Sequence, residues 1–147
     1  MRLFFAILVC VVGFVMPTWA GDIVVSRAIV VAPPNASAPT IAAYFTIENQ
    51  GASADQFTGI STATAASAML HETTNTDGVM KMNMLDHLDI PAGATITMKP
   101  AQLHVMLVGP KAPYKVGEDV AFELNFATAG KMLVMAKVVP LSEAPLD

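Results

Sequence analysis

His71 and His104, with Met80, Met82, Met84 and Met106, are the side chains whose types and spacing could do chemistry. Imidazole nitrogen and thioether sulfur are both neutral when they bind a metal. Together they form a soft-to-borderline donor set, which suits Cu(I) and does not suit Mg, Ca or Mn. Few carboxylates lie close by in sequence, and no cysteine joins them. Residues two apart in a strand point the same way. His104 and Met106 therefore share one face, while Leu103, Val105 and Leu107 share the other, which reads as the core face. Met80, Met82 and Met84 likewise share a face, with Lys81 and Asn83 opposed. A hairpin turning at Asn75 to Gly78 would bring His71 back toward this methionine run, so that three segments converge on one cluster.

Each residue also has an ordinary reading. Methionine fills irregular gaps in cores, and that is the default for Met80, Met82 and Met84 taken singly. A lone histidine in a sheet is more often a hydrogen-bonded structural residue than a ligand, and His87, in a turn between Asp86 and Leu88, is read that way. The pair His104-x-Met106, set opposite an apolar face, fits the packing reading least well. Residue types and spacing alone leave both readings open.

The elements that must position these residues are strands. Ile23 to Val31 is a β-branched run ended by Ala32-Pro33-Pro34-Asn35. Ile41 to Glu48 alternates with period two, Ile41, Ala43, Phe45 and Ile47 against Ala42, Tyr44, Thr46 and Glu48. Further strands are expected at Asp55 to Ile60, Val79 to Leu85, Ala94 to Lys99, Leu103 to Val108, Val120 to Phe126 and Lys131 to Val139. The alanine-rich stretch Ala63 to Ala68 reads as a helical turn or a loop, and Ser67 to Glu72 leads into the first histidine. Asn75-Thr76-Asp77-Gly78 is a hairpin signal. No long segment has a helical period, so short strands with regular turns argue for an antiparallel sandwich or barrel.

The chain has 147 residues, enough for one domain with a real core. Met1-Arg2, the apolar run Leu3 to Val15 and the small residues Thr18 and Ala20 read as a secretory signal peptide over 1–20, cleaved after Ala20. The apolar run is shorter than the roughly 20 residues of an ordinary membrane span; an uncleaved anchor is the alternative. Val9 before Cys10 does not fit a lipoprotein cysteine. Cleavage would leave a domain over 21–140 and a loose tail over 141–147. It would also remove Cys10, the only cysteine, and with it any disulfide, thiolate ligand or thiol nucleophile. Losing Arg2 makes the formal charge of −4 one unit more negative. An acidic chain with scattered lysines has no footprint for nucleic acid and no basic helix for a membrane surface.

The pattern His-x10-Met-x21-His-x-Met fits His71, Met82, His104 and Met106 without adjustment. With its flanks it resembles the periplasmic copper chaperones of the PCu(A)C family. Those flanks are Ala42 to Asn49, Leu70-His71-Glu72, Asp77 to Met82, Ile90 to Gly93 and Leu103 to Leu107, in order along nearly the whole chain after the signal. The resemblance implies a cupredoxin-like antiparallel β-sandwich of Greek-key type that binds Cu(I) through those four side chains. It also implies a periplasmic carrier that delivers toward cytochrome c oxidase, with the oxidase copper subunit or a Sco-type thiol protein as recipient; a monomer is the expected state. The sequence departs from the family in places. Ala101-Gln102 stands where two glycines are usual, Glu72 and Thr73 follow the first histidine where some members carry a further methionine, and an aromatic typical of the first strand is replaced near Ile29. Ser142 to Asp147 is not the Met/His-rich tail of many members. These departures leave the four residues in place and do not support a second site for Cu(II).

Rival functions are weaker. A blue-copper electron carrier needs a cysteine thiolate beside two histidines. An oxygenase that binds copper through an N-terminal amine and a histidine does not fit Gly21 at the mature end. No nucleophile-base motif marks a hydrolase. The serious alternative is a secreted structural or interaction β-sandwich whose Met and His are packing residues.

Overall fold

The computed structural model describes residues 22–145. The expected signal segment and its cleavage point lie outside the described residues. Ten strands follow one another: β1 (Ile23–Val31), β2 (Thr40–Asn49), β3 (Asp55–Ser61), β4 (Ala65–Thr76), β5 (Val79–Leu85), β6 (Leu88–Ile90), β7 (Thr95–Thr97), β8 (Leu103–Pro110), β9 (Asp119–Phe126) and β10 (Gly130–Val139). The expected loose tail makes one 3-10 turn over Leu141–Glu143, with Ala144 and Pro145 buried behind it. Among the described residues no helix is long and apolar enough to cross a membrane.

The strands pair in the order β5-β4-β8-β2-β1-β10-β9-β3-β6, with β7 alongside β2. The all-β expectation therefore holds. The path doubles over on itself, because alternation gives each long strand one apolar row to bury. Ile41, Ala43, Phe45 and Ile47 of β2 and Val120, Phe122, Leu124 and Phe126 of β9 are all buried. The Phe45 and Phe122 rings meet edge-on across the layers, centroids 5.3 Å apart. Among the described strands, β1 and β10 form the one parallel pair, Ile29 to Val31 beside Lys137 to Val139; the others are antiparallel.

Two local expectations change. Ala65 to Ala68 is strand, not helical turn or loop: it opens β4 against Leu107 to Pro110 of β8. Small residues suit this place, since a Cβ at Gly109 would lie 3.0 Å from that of Ala66. Cross-strand packing overrides alanine's helix propensity here. The strand expected over Ala94 to Lys99 shrinks to Thr95–Thr97, and a short strand, Leu88–Ile90, precedes it. Tyr44, in the row that alternates with Ile41, Ala43, Phe45 and Ile47, is buried as well.

β4 and β5 form the hairpin expected at Asn75 to Gly78. Asp77 (φ 53°) and Gly78 (φ 83°) both have positive φ, as a two-residue primed turn needs. The Asn75 side-chain oxygen accepts the Gly78 N–H at 3.0 Å.

Candidate metal centre

Register decides what the cluster contains. β4 lies between β5 and β8, and His71 is opposite Met84 on one side and His104 on the other. One row toward the hairpin tip, Thr73 faces Met82; one row the other way, Met69 faces Met106. Opposed residues in a ladder share a face, so Met69, His71, Met82, Met84, His104 and Met106 all project from one side of the sheet. Leu70, Val105 and Leu107 are buried on the other side, as expected for the core face. The structure brings His71, His104 and Met106 together on adjacent strands. Met82 joins them from the edge strand, on the diagonal from His71.

The two imidazoles differ in setting. Their centroids are 5.9 Å apart and their planes make 67°. His104 is buried, and its Nδ1 lies 3.0 Å from the Gln102 carbonyl oxygen. That oxygen also accepts the Thr73 N–H at 3.0 Å. A carbonyl can only accept, so Nδ1 carries a proton; in the neutral ring Nε2 then keeps its lone pair, the arrangement found behind metal-binding histidines. Gln102 follows Ala101, whose φ of 58° is left-handed and places that carbonyl. His71 is half-buried, and its Nδ1 is buried with no hydrogen-bond partner. An unsatisfied buried polar atom costs about 1–3 kcal/mol, so it calls for a reason. Burial, and secondarily the neighbouring His104, holds the His71 imidazole below its ordinary pKa of 6.5. Both effects favour the neutral ring, the form a ligand must take.

The thioethers are not gap-fillers. Met80, Met82 and Met84 are 54%, 50% and 60% exposed, so the packing expectation fails for all three. His87 is exposed in the β5–β6 turn, away from this row. Among the described residues no three His, Cys, Asp or Glu side chains converge as a metal-binding group. An ion held between these histidines would draw its further donors from sulfur, and the donor set fits a soft monovalent ion. The sequence reading missed Met69, and left Met84 among three equivalent methionines. Parity along the strands puts both on the right face, but only the register shows that one opposes Met106 and the other His71.

Residues 23–138 match the LpqE-like family. Among curated relatives, Lxx21020 of Leifsonia xyli subsp. xyli is 32% identical over 104 residues, covering 70% of this chain and 63% of that protein. RP573 of Rickettsia prowazekii is 30% identical over 98 residues, 66% of this chain and 54% of that protein. The chain thus spans less than two thirds of either. The solved structure of Cu(I)-bound DR1885 from Deinococcus radiodurans is 37% identical, with a TM-score of 0.65 over 78% of this chain and 76% of that one. Its apo form is 32% identical, with a TM-score of 0.64 over 98% and 96%. The copper-bound PCuAC domain of PmoF2, at 23% identity, has the same fold, with a TM-score of 0.70 over 82% and 94%. The expected likeness to PCu(A)C proteins and the expected sandwich are borne out by these neighbours. The chain belongs to the LpqE-like family, and its fold is that of PCuAC domains.

Proposed function

We propose that this chain is a copper carrier, not an enzyme, which binds Cu(I) through His71, Met82, His104 and Met106 and passes it on by ligand exchange. The observation that carries the reading is the facing histidine pair. One ring is oriented by the Gln102 carbonyl with its Nε2 lone pair free, and the other has a buried nitrogen without a partner. Both stand beside edge-strand thioethers, Met82 and Met84, whose exposure packing does not explain. The Cu(I)-bound relative at 37% identity supports copper as the cargo.

In this reading the His104 imidazole is the fixed donor, held by its hydrogen bond. His71 is the second nitrogen donor. Met106 is half-buried beside them and Met82 is on the exposed edge strand, so the cargo is anchored on one side and open to a recipient on the other. Four neutral donors stabilise Cu(I) without adding charge. Thioethers form no disulfides, so the set tolerates an oxidising compartment; sulfoxide formation is its weakness.

The finer assignment is that the chain acts as a monomer in the periplasm, exported by the segment 1–20. It would deliver toward cytochrome c oxidase assembly, to the oxidase copper subunit or a Sco-type thiol protein. X-ray absorption on the Cu(I)-loaded protein tests the site, with two sulfur and two nitrogen neighbours expected. A first shell without sulfur, or no Cu(I) binding at all, returns the chain to the structural-sandwich alternative.

A further inference from the structure

We propose that Met84 is an exchange ligand for the copper ion, taking it up beside His71 when Met82 releases it. This rests on the four-donor reading above and adds a fifth donor. Register is the first support. Met84 stands directly opposite His71, whereas Met82 faces Thr73, one row nearer the hairpin tip. Directly opposed Cβ atoms in an antiparallel pair are about 4.5–5.5 Å apart and diagonal ones about 7–8 Å, so the Met84 side chain is rooted nearer to that imidazole than the Met82 side chain is. Exposure is the second. At 60% exposed, Met84 is not held in the core, and its unbranched side chain can swing to an ion.

Access is the third. β5 is an edge strand, so Met84 stands at the open end of the row that runs through His71 to His104. A recipient's donor arriving over that edge meets Met84 before His71 of β4 and His104 of β8. The exchange step is balanced: a copper–sulfur bond to Met84 forms, the bond to Met82 breaks, and the lone pair returns to the Met82 sulfur. The ion stays Cu(I), and no proton or electron moves.

Redundancy is what the experiment reads. The chain and its Met82→Leu, Met84→Leu and doubly substituted variants are titrated with Cu(I) against a competing chelator, without oxygen. The methionine methyls are followed by NMR in the same samples. Each single variant is expected to lose only about twofold in affinity, as when one of two near-equal bound states is removed. The double variant should lose a further tenfold or so, a typical cost of losing a supporting group at a metal site. The Met84 methyl signal should shift with the first equivalent of Cu(I). The proposal is overturned if that signal stays still while those of Met82 and Met106 move, or if Met82→Leu alone loses as much as the double variant. If the unsubstituted chain binds no Cu(I), the four-donor reading itself falls and this one with it. Coincident spectra of the metal-free variants check the fold, and Met84→Gln, which keeps length and removes sulfur, should behave as Met84→Leu.

Discussion

His71 concentrates the chemistry of the site in one side chain. Its imidazole is held below the ordinary 6.5 by burial and by the adjacent His104. In the metal-free protein the unfolded chain therefore takes up this proton at a higher pH than the folded one. Stability is unaffected above about pH 6.5, falls as pH drops below it, and levels off once the folded pKa is passed. Proton competition with a metal at His71 likewise begins on the acid side of 6.5. Cu(I) affinity should thus be flat in the neutral range and decline in mild acid, measured by chelator competition at several pH values. Equal affinity at neutral pH and at about pH 5 would count against imidazole ligation. Met106 tests the sulfur half. Met106→Leu conserves volume and should cost less than about 1.5 kcal/mol of stability while weakening Cu(I) binding. Replacing His71 and His104 together tests the nitrogen half independently, and should abolish binding if they are donors.

At the scale of elements, the turn before β8 orients a site histidine, and a buried carboxylate ties β3 to the β9–β10 turn. The turn before β8 places the Gln102 carbonyl that orients His104, and Ala101 holds it at φ 58°. An alanine in this conformation costs roughly 1–2 kcal/mol. Glycine removes the strain but gives the unfolded chain more freedom, about 0.4–1 kcal/mol. Ala101→Gly should therefore raise stability slightly, by roughly 0.5 kcal/mol on those figures, with Cu(I) affinity unchanged. Denaturant titration reads the first outcome, and a marked loss would mean that the turn is not strained. Asp55, at the start of β3, is buried. Burial alone would raise its carboxyl, but N–H donors from Thr128, Ala129 and Gln56, with the Thr128 hydroxyl, outweigh that and hold it below the usual range. Its contribution is present above the unfolded carboxylate pKa and lost as pH falls through the lower folded one. Asp55→Ala should cost about 2 kcal/mol or more by thermal or chemical unfolding, because it orphans backbone donors in the β9–β10 turn.

Over the whole molecule, the doubled sheet presses two apolar rows together and leaves the chemistry on an outward face at one edge. Phe122 is fully buried against Phe45. Phe122→Ala should destabilise by about 3–5 kcal/mol and leave the Cu(I) affinity of the folded fraction near normal, since core and site lie on opposite faces of their strands. A parallel loss of affinity would show that the site depends on core rigidity. Much of this was legible in the chain. Period two in Ile41 to Ile47 and in Val120 to Phe126 marks the core rows, because burial of one sheet face leaves no other pattern. Asp77-Gly78 marks the hairpin, because few residues accept positive φ. The four-residue spacing with its flanks marks the family.

Other features depended on contacts between distant residues. Ala65 to Ala68 became strand because β8 lies beside it with Gly109 opposite Ala66, and nothing local announces that neighbour. The parallel β1–β10 pair needed both ends of the chain at once. By itself the sequence determined which residues share a face, since alternation is a property of the backbone. Only the tertiary structure decided that His71 lies between His104 and Met84 and that one imidazole nitrogen is left buried without a partner, because register and burial are set by which strands meet.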